Sequence, residues 1–333
     1  MHTTQDMDYQ QQFKQSMVEE EQRQKDEFDT KVKKYIEADN VILLSGAGDG
    51  DRAIGLRVGV FTASLLKVLR DSHKASETPL TMVSALERSR KNLERKGYRQ
   101  VPQLSSSRMI DIKKTLQIVP PKPKGEKRAI LIGIRYVGQG KNELPGCHND
   151  VGMMKEYLIE YEGFQEDDMT ILMDDGNHEM PTKRNIMAAL KEAARSEPGD
   201  AVFVYFSGHS TSIVDRHGET LDGIQGTLVP VDAQEIMNGV IFGGRARKER
   251  AALISGRDIL NKLIMRLKAN VTMTCVVDSS YSGSLLGLPY RYTRGGDEME
   301  RDFSFPFKRL ALRASGAIAC LAASVGVLVC WIL

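Results

Sequence analysis

Two short stretches carry residue types that can do chemistry. Residues 270–283, NVTMTCVVDSSYSG, pass from an apolar, β-branched run into Asp278-Ser279-Ser280-Tyr281-Ser282-Gly283. The first part reads as a buried strand. A strand ending in small polar residues and glycine is where an open α/β sheet holds its chemistry. Upstream, the apolar run 201–206 closes on Ser207-Gly208-His209. One strand ends in hydroxyls and the other in a histidine. Side by side, such ends pair a nucleophile with a general base; apart, they are two ordinary loops.

Positioning these ends is the task of the surrounding elements. Residues 127–290 alternate strand and helix patterns, as a parallel α/β sheet requires. Strands are expected at 128–135, 169–173, 201–206 and 271–277. Helices are expected at 149–162, with Asn149 or Asp150 near the cap, at 182–196 after Pro181, and at 256–267. Residues 210–255 read as a long, charged, mobile loop holding Arg245, Arg247, Lys248, Glu249 and Arg250. Further upstream lie a strand at 40–45, a helix at 58–70, a helix at 82–96 capped by Thr81 or Thr78, and a short edge strand at 102–107. The glycine-rich segment 46–50 lacks both the GK[ST] ending and the GxGxxG spacing of phosphate loops. Residues 1–37 form a charged helical extension with a thin apolar seam.

Composition narrows the function. The 333-residue chain carries a net charge of +2, with Lys and Arg spread among acids, so no nucleic-acid partner is expected. Its four cysteines, Cys147, Cys275, Cys320 and Cys330, have neither CxxC nor paired spacing. Cys147 reads as a loop residue and Cys275 as a strand residue. That pattern fits a reducing compartment, without a disulfide framework or a zinc site. The polar N-terminus, MHTTQDMDYQQQ, lacks an apolar signal region.

Five motifs, KRAILIGIRY (127–136), LPGCHNDV (144–151), DAVFVYFSGH (200–209), LVPVD (228–232) and DSSYSG…LPY (278–290), together resemble the large-subunit half of a metacaspase. Residues 40–45, FTASLLKVLR and GYRQVPQLSSSRMID resemble the family's small-subunit half, which here comes first. The resemblance implies a kinetoplastid-type, metacaspase-like pseudopeptidase with a permuted order. The implied fold is α/β, a caspase-like three-layer sandwich. It has a mostly parallel six-stranded sheet and helices on both faces. The implied division is 38–119 for the small-subunit half, 120–127 for a linker, 128–292 for the large-subunit half, and 293–313 for a second linker. The proline-rich linker PPKPKGEK can span about 26 Å, more than the roughly 19 Å of four strand spacings it must cross. One chain can then close one sheet; the rival is a fusion of two gene fragments.

The resemblance also implies site residues. His209 takes the place of the family's general base. Ser280 takes the place of its nucleophilic cysteine, and Tyr281 that of the histidine after it. A thiol is a few per cent ionised near neutrality, whereas a hydroxyl needs a close, oriented base. The shorter C–O bond also leaves the oxygen farther from a bound carbonyl. A site built for sulfur is therefore expected to give little or no turnover. The family binds Arg or Lys before the scissile bond through residues that match Cys147, Asp150, Ser207 and Asp278. Paired carboxylates suit a guanidinium, although Asp150 alone could be a helix cap and Asp278 a turn former. The family's calcium-binding aspartates match Gln225, Gly243, Gly244 and Gly287, so neither metal nor other cofactor is expected.

The tail, residues 314–333, has no charged side chain, follows Lys308, Arg309 and Arg313, and carries Trp331 near its end. It reads as a transmembrane helix, giving a single-pass membrane anchor with the folded part cytoplasmic. The expected protein binds Arg/Lys-containing segments or an active metacaspase at a membrane. The alternatives are a residual peptidase using Ser280 and His209, and a structural membrane protein with a relic caspase-like domain.

Overall fold

The structure is a computed structural model, and it describes residues 3–47, 59–74, 79–116, 118–119, 125–214, 224–233, 251–280, 282–283, 285–302 and 305. Two compact units divide the chain. In one, the described part of the N-terminal segment is helix α1 (Thr3–Tyr35). Ion pairs along its exposed surface, such as Lys25–Glu21 and Lys31–Glu27, each 2.6 Å, join side chains one turn apart.

The other unit, Ile36–Asp302, contains the candidate site residues. It begins with β1 (Asn40–Ser45), α2 (Val60–Lys74), α3 (Met82–Arg95) and β2 (Gln103–Ser106). β3 (Lys127–Gly133), α4 (Cys147–Glu160), β4 (Met169–Met173), α5 (Lys183–Ala193) and β5 (Ala201–Ser207) follow. Then come β6 (Ser210–Val214), β7 (Ile224–Leu228), β8 (Ile254–Ser255), α6 (Gly256–Lys262), β9 (Thr272–Asp278), β10 (Tyr290–Arg291) and β11 (Glu300–Arg301).

The main sheet has eight strands in the order β11-β10-β2-β1-β9-β5-β3-β4. From β1 to β4 all neighbours are parallel. β2, β10 and β11 extend it by antiparallel pairs. β9 is the centre. Met273, Cys275, Val276 and Val277 are all buried, so the strand needs neighbours on both sides. β5 supplies one and β1 the other, with Ile42 opposite Thr274 and Ser45 opposite Val277. The expected placement of residues 41–44 beside β9 is therefore present within one chain. The Thr274 hydroxyl donates to Ile118 O at 2.6 Å, which ties the segment after β2 to β9.

Helices pack in two groups. α4 lies on β3 and β5 beside α2, and α2 carries α3. α5 lies on β3 and β4 beside α6. α2 buries Phe61, Leu65, Leu66 and Leu69, the stripe its 3.6-residue period predicts. α3 starts at a capping box, in which Thr81 Oγ1 accepts from Ser84 N and Ser84 Oγ accepts from Thr81 N.

Several expectations are corrected. Six strands become eight, and residues 103–106 are not the sheet's edge, because β10 and β11 lie beyond them. Part of the expected loop 210–255 forms a second sheet, β6-β7-β8, whose antiparallel pairing satisfies backbone that a loop would leave unpaired. Its basic run, residues 245–250, lies outside the described residues. Cys147 is not in a loop but opens α4. The C-terminal transmembrane helix and the single-pass membrane localisation are not upheld. Among the described residues no helix is long and apolar enough to cross a membrane. The longest of them, α1, carries too many charged and polar residues between its apolar ones. Residues 314–333, where the anchor was expected, lie outside the described residues.

Candidate functional site

The parallel strands end at one edge of the sheet, and their register aligns the candidate residues. Gly133, Ser207 and Asp278 close β3, β5 and β9 as successive Cα partners. Gly133 is required here: a Cβ would stand 2.6 Å from Val151 Cγ2 and 2.8 Å from Cys147 O, so only glycine lets α4 approach β3. That approach brings Cys147 and Asp150, in the first turn of α4, onto the strand ends.

All four residues expected to hold a basic side chain therefore meet. Asp150 is fully buried, and Cys147, Ser207 and Asp278 are buried with it. Ser207 Oγ donates to Asp150 Oδ2 at 2.8 Å. Gly59 N donates to Asp150 Oδ1 at 2.7 Å. Thr62 donates to Asp278 Oδ2 twice, from its backbone N at 2.9 Å and its Oγ1 at 2.8 Å. Asp150 is thus not a helix cap and Asp278 not merely a turn residue. Burial, and then the neighbouring Asp278 charge, push the Asp150 carboxyl up to about 7. Burial also raises Asp278, against the lowering effect of its bonds from Thr62. Burial, reinforced by the two carboxylates, raises the Cys147 thiol. A buried thiol with a raised pKa is a poor nucleophile, because the thiolate is the reactive form.

His209 and Ser280 each stand two residues beyond the register pair Ser207 and Asp278, at adjacent strand ends. The junction is tied: Ser210 Oγ donates to Ser280 O. His209 Nε2 lies 2.8 Å from Asn142 O. A carbonyl oxygen only accepts, so Nε2 carries the proton and Nδ1 keeps its lone pair. Burial lowers the imidazole pKa below its usual value, offset in part by the Asn142 bond. The ring that results can act as a general base through Nδ1.

Sequence reasoning missed what holds this histidine. Tyr136 is fully buried, with a backbone φ of 59°, a left-handed conformation uncommon outside glycine. Its OH donates to Val229 O at 2.6 Å and accepts from His209 N at 2.9 Å. Its ring centroid lies 4.7 Å from that of His209. The loop carrying Tyr136 is clamped in turn by Asp174, which accepts from Arg135 N, Val137 N and His148 Nε2. Burial alone would raise Asp174, but the bonds from His148 and the two backbone N–H groups hold it below its usual value. The only sequence signal for Tyr136 is a large aromatic directly after an apolar strand run.

The positions matching calcium ligands do not fit the ion. Gln225 lies in β7 opposite Ile213 and offers one amide oxygen. Gly287 sits at φ 54° and offers no side chain. Gly243 and Gly244 lie outside the described residues. Among the described residues no cluster of three or more His, Cys, Asp or Glu is placed to hold a metal ion.

Residues 127–289, the segment that carries α4, β5 and β9, match the family described as "Metacaspase, peptidase C14 domain". "Metacaspase-1B" of Aspergillus clavatus is 37% identical over 175 residues, 52% of this chain and 39% of that protein. "Metacaspase-1A" of Neurospora crassa is 34% identical over 198 residues, 59% of this chain and 40% of that protein. The similarity to "Metacaspase III c" of Phaeodactylum tricornutum reaches past this segment. It is 43% identical over 256 residues, 76% of this chain and 72% of that protein. With most of both sequences aligned at that identity, the chain belongs to the metacaspase family.

Proposed function

We propose that this chain is a non-catalytic metacaspase-like protein that binds Arg- or Lys-bearing segments, or an active metacaspase presenting one. The observation that carries the reading is the residue two positions past β9: Ser280, a hydroxyl, where the family motif has a thiol. A hydroxyl is far harder to ionise than a thiol and needs a base that is itself oriented by a carboxylate or its equivalent. Here the orienting group is the neutral Asn142 carbonyl. The buried pair Asp150 and Asp278 supports cation recognition, since two carboxylates match the fork of a guanidinium. The reading includes a permuted subunit order, supported by β1 lying between β2 and β9 in one sheet.

A fluorogenic arginine substrate tests the first claim. The expected rate is at background, unchanged by Ser280→Ala. Turnover that disappears in Ser280→Ala would instead favour a second reading, a weak peptidase. The lone pair that the Asn142 bond leaves on Nδ1 of His209 is the observation in its favour. Calorimetric titration with an arginine peptide tests the binding claim, and an absence of heat together with an unchanged melting temperature would sink it.

A further inference from the structure

The acidic pair is already satisfied from within the chain. Of the hydrogen bonds that reach Asp150 and Asp278, three come from one turn: Gly59 N, Thr62 N and Thr62 Oγ1. Gly59 stands between the carboxylates. A Cβ built on it would lie 2.3 Å from Asp278 Oδ2 and 2.5 Å from Asp150 Oδ2. No side chain larger than hydrogen fits there, so the backbone itself is wedged into the pair. Asp150 is fully buried and Asp278 only 7% exposed. The Thr62 hydroxyl is also engaged with Tyr205 OH at 2.7 Å, which braces the turn from the far side.

A guanidinium entering this site needs the same lone pairs that the turn now holds. A carboxylate has about four acceptor sites, but those facing the space between Asp150 and Asp278 are covered by Gly59. We infer that the start of α2 with the residue before it, Gly59 to Thr62, occupies the acidic site in place of a guest cation and must withdraw before an arginine or lysine side chain binds. This rests on the reading that the pocket receives Arg or Lys. The turn offers two N–H groups and a hydroxyl, neutral donors aligned with the positive end of a helix. It thereby imitates a cation without carrying net charge. A guest with full charge makes stronger hydrogen bonds to ionised carboxylates, so displacement is energetically open. Apparent affinity is then reduced by the fraction of molecules in which the turn has withdrawn.

The test uses hydrogen–deuterium exchange on the whole chain, with agmatine as the guanidinium probe and calorimetry to establish binding. Exchange in the peptide covering Gly59 to Thr62 should become several-fold faster at saturating agmatine, because the N–H donors lose their acceptors. Gly59→Ala, whose methyl cannot share the space with both carboxylates, should bind agmatine about tenfold more tightly than the parent. Agmatine that binds while exchange at 59–62 is unchanged or slower overturns the displacement, yet leaves the pocket reading intact. Agmatine that binds only Gly59→Ala supports occupation by the turn and overturns the reading that the parent protein binds arginine. Agmatine that binds neither protein, with the variant's thermal unfolding still cooperative, overturns both.

Discussion

Replacing Asp150 by Asn should stabilise the protein above neutral pH and leave it unchanged in acid. Asp150 is fully buried, and burial together with the Asp278 charge moves its carboxyl up to about 7. An unfolded aspartate titrates near 3.9. The folded pKa is thus raised, and the folded state holds a proton that the unfolded state has released between about pH 4 and pH 7. Stability tied to this group is fully present below about pH 4 and is lost as pH rises through about 7, at a limiting slope near 1.4 kcal/mol per pH unit. Three units set an upper limit on the order of 4 kcal/mol, and sharing of one proton with Asp278 brings the expected effect to about 2–4 kcal/mol. Asn cannot ionise. Its oxygen can still accept from Gly59 N, and its NH2 can donate to Ser207 Oγ, which reverses its role. Urea unfolding of parent and Asp150→Asn from pH 4 to pH 8 measures the difference. The curves should coincide near pH 4 and diverge in the variant's favour by pH 8. A variant that is less stable at pH 8, or a difference that stays flat across the range, would refute the reasoning: Asp150 would then be an ionised acceptor that the fold depends on.

Tyr136→Phe removes the hydroxyl that joins His209 N to Val229 O, leaving two buried groups unsatisfied. It should cost about 1–3 kcal/mol, and the His209 ring resonances should shift, whereas ring signals identical to the parent's would count against a positioning role. Cysteines at Ile42 and Thr274, register partners on β1 and β9, should oxidise to a cross-link within the monomer; cross-links found only between chains would contradict the single-chain sheet. Millimolar calcium should leave the melting temperature where it is, because Gln225 and Gly287 supply at most one oxygen ligand from their side chains. A saturable rise of several degrees would mean that other residues bind the ion.

What could be read from the sequence was what depends on near neighbours. β1 and β4 begin and end where their apolar runs do, at Asn40–Ser45 and Met169–Met173. A strand covered by helices must be apolar at almost every position, and that leaves a local trace. The motif ends, His209 and Ser280, were legible for the same reason. The hairpin of β6 and β7 was not. Ser210–Val214 and Ile224–Leu228 mix small, polar and apolar residues, and only their mutual pairing makes either a strand. The two-residue strands β10 and β11 carry too little pattern to register at all. The same limit governs the site. Gly59 and Thr62 meet Asp150 and Asp278 across 91 and 216 residues, and Tyr136 and Asn142 meet His209 across 73 and 67. Which donor reaches which carboxylate follows from β1 lying beside β9 and from α2 packing against α4. Those are choices of the whole fold, made where burial leaves each carboxylate no water to bond and the nearest donor comes from a distant part of the chain.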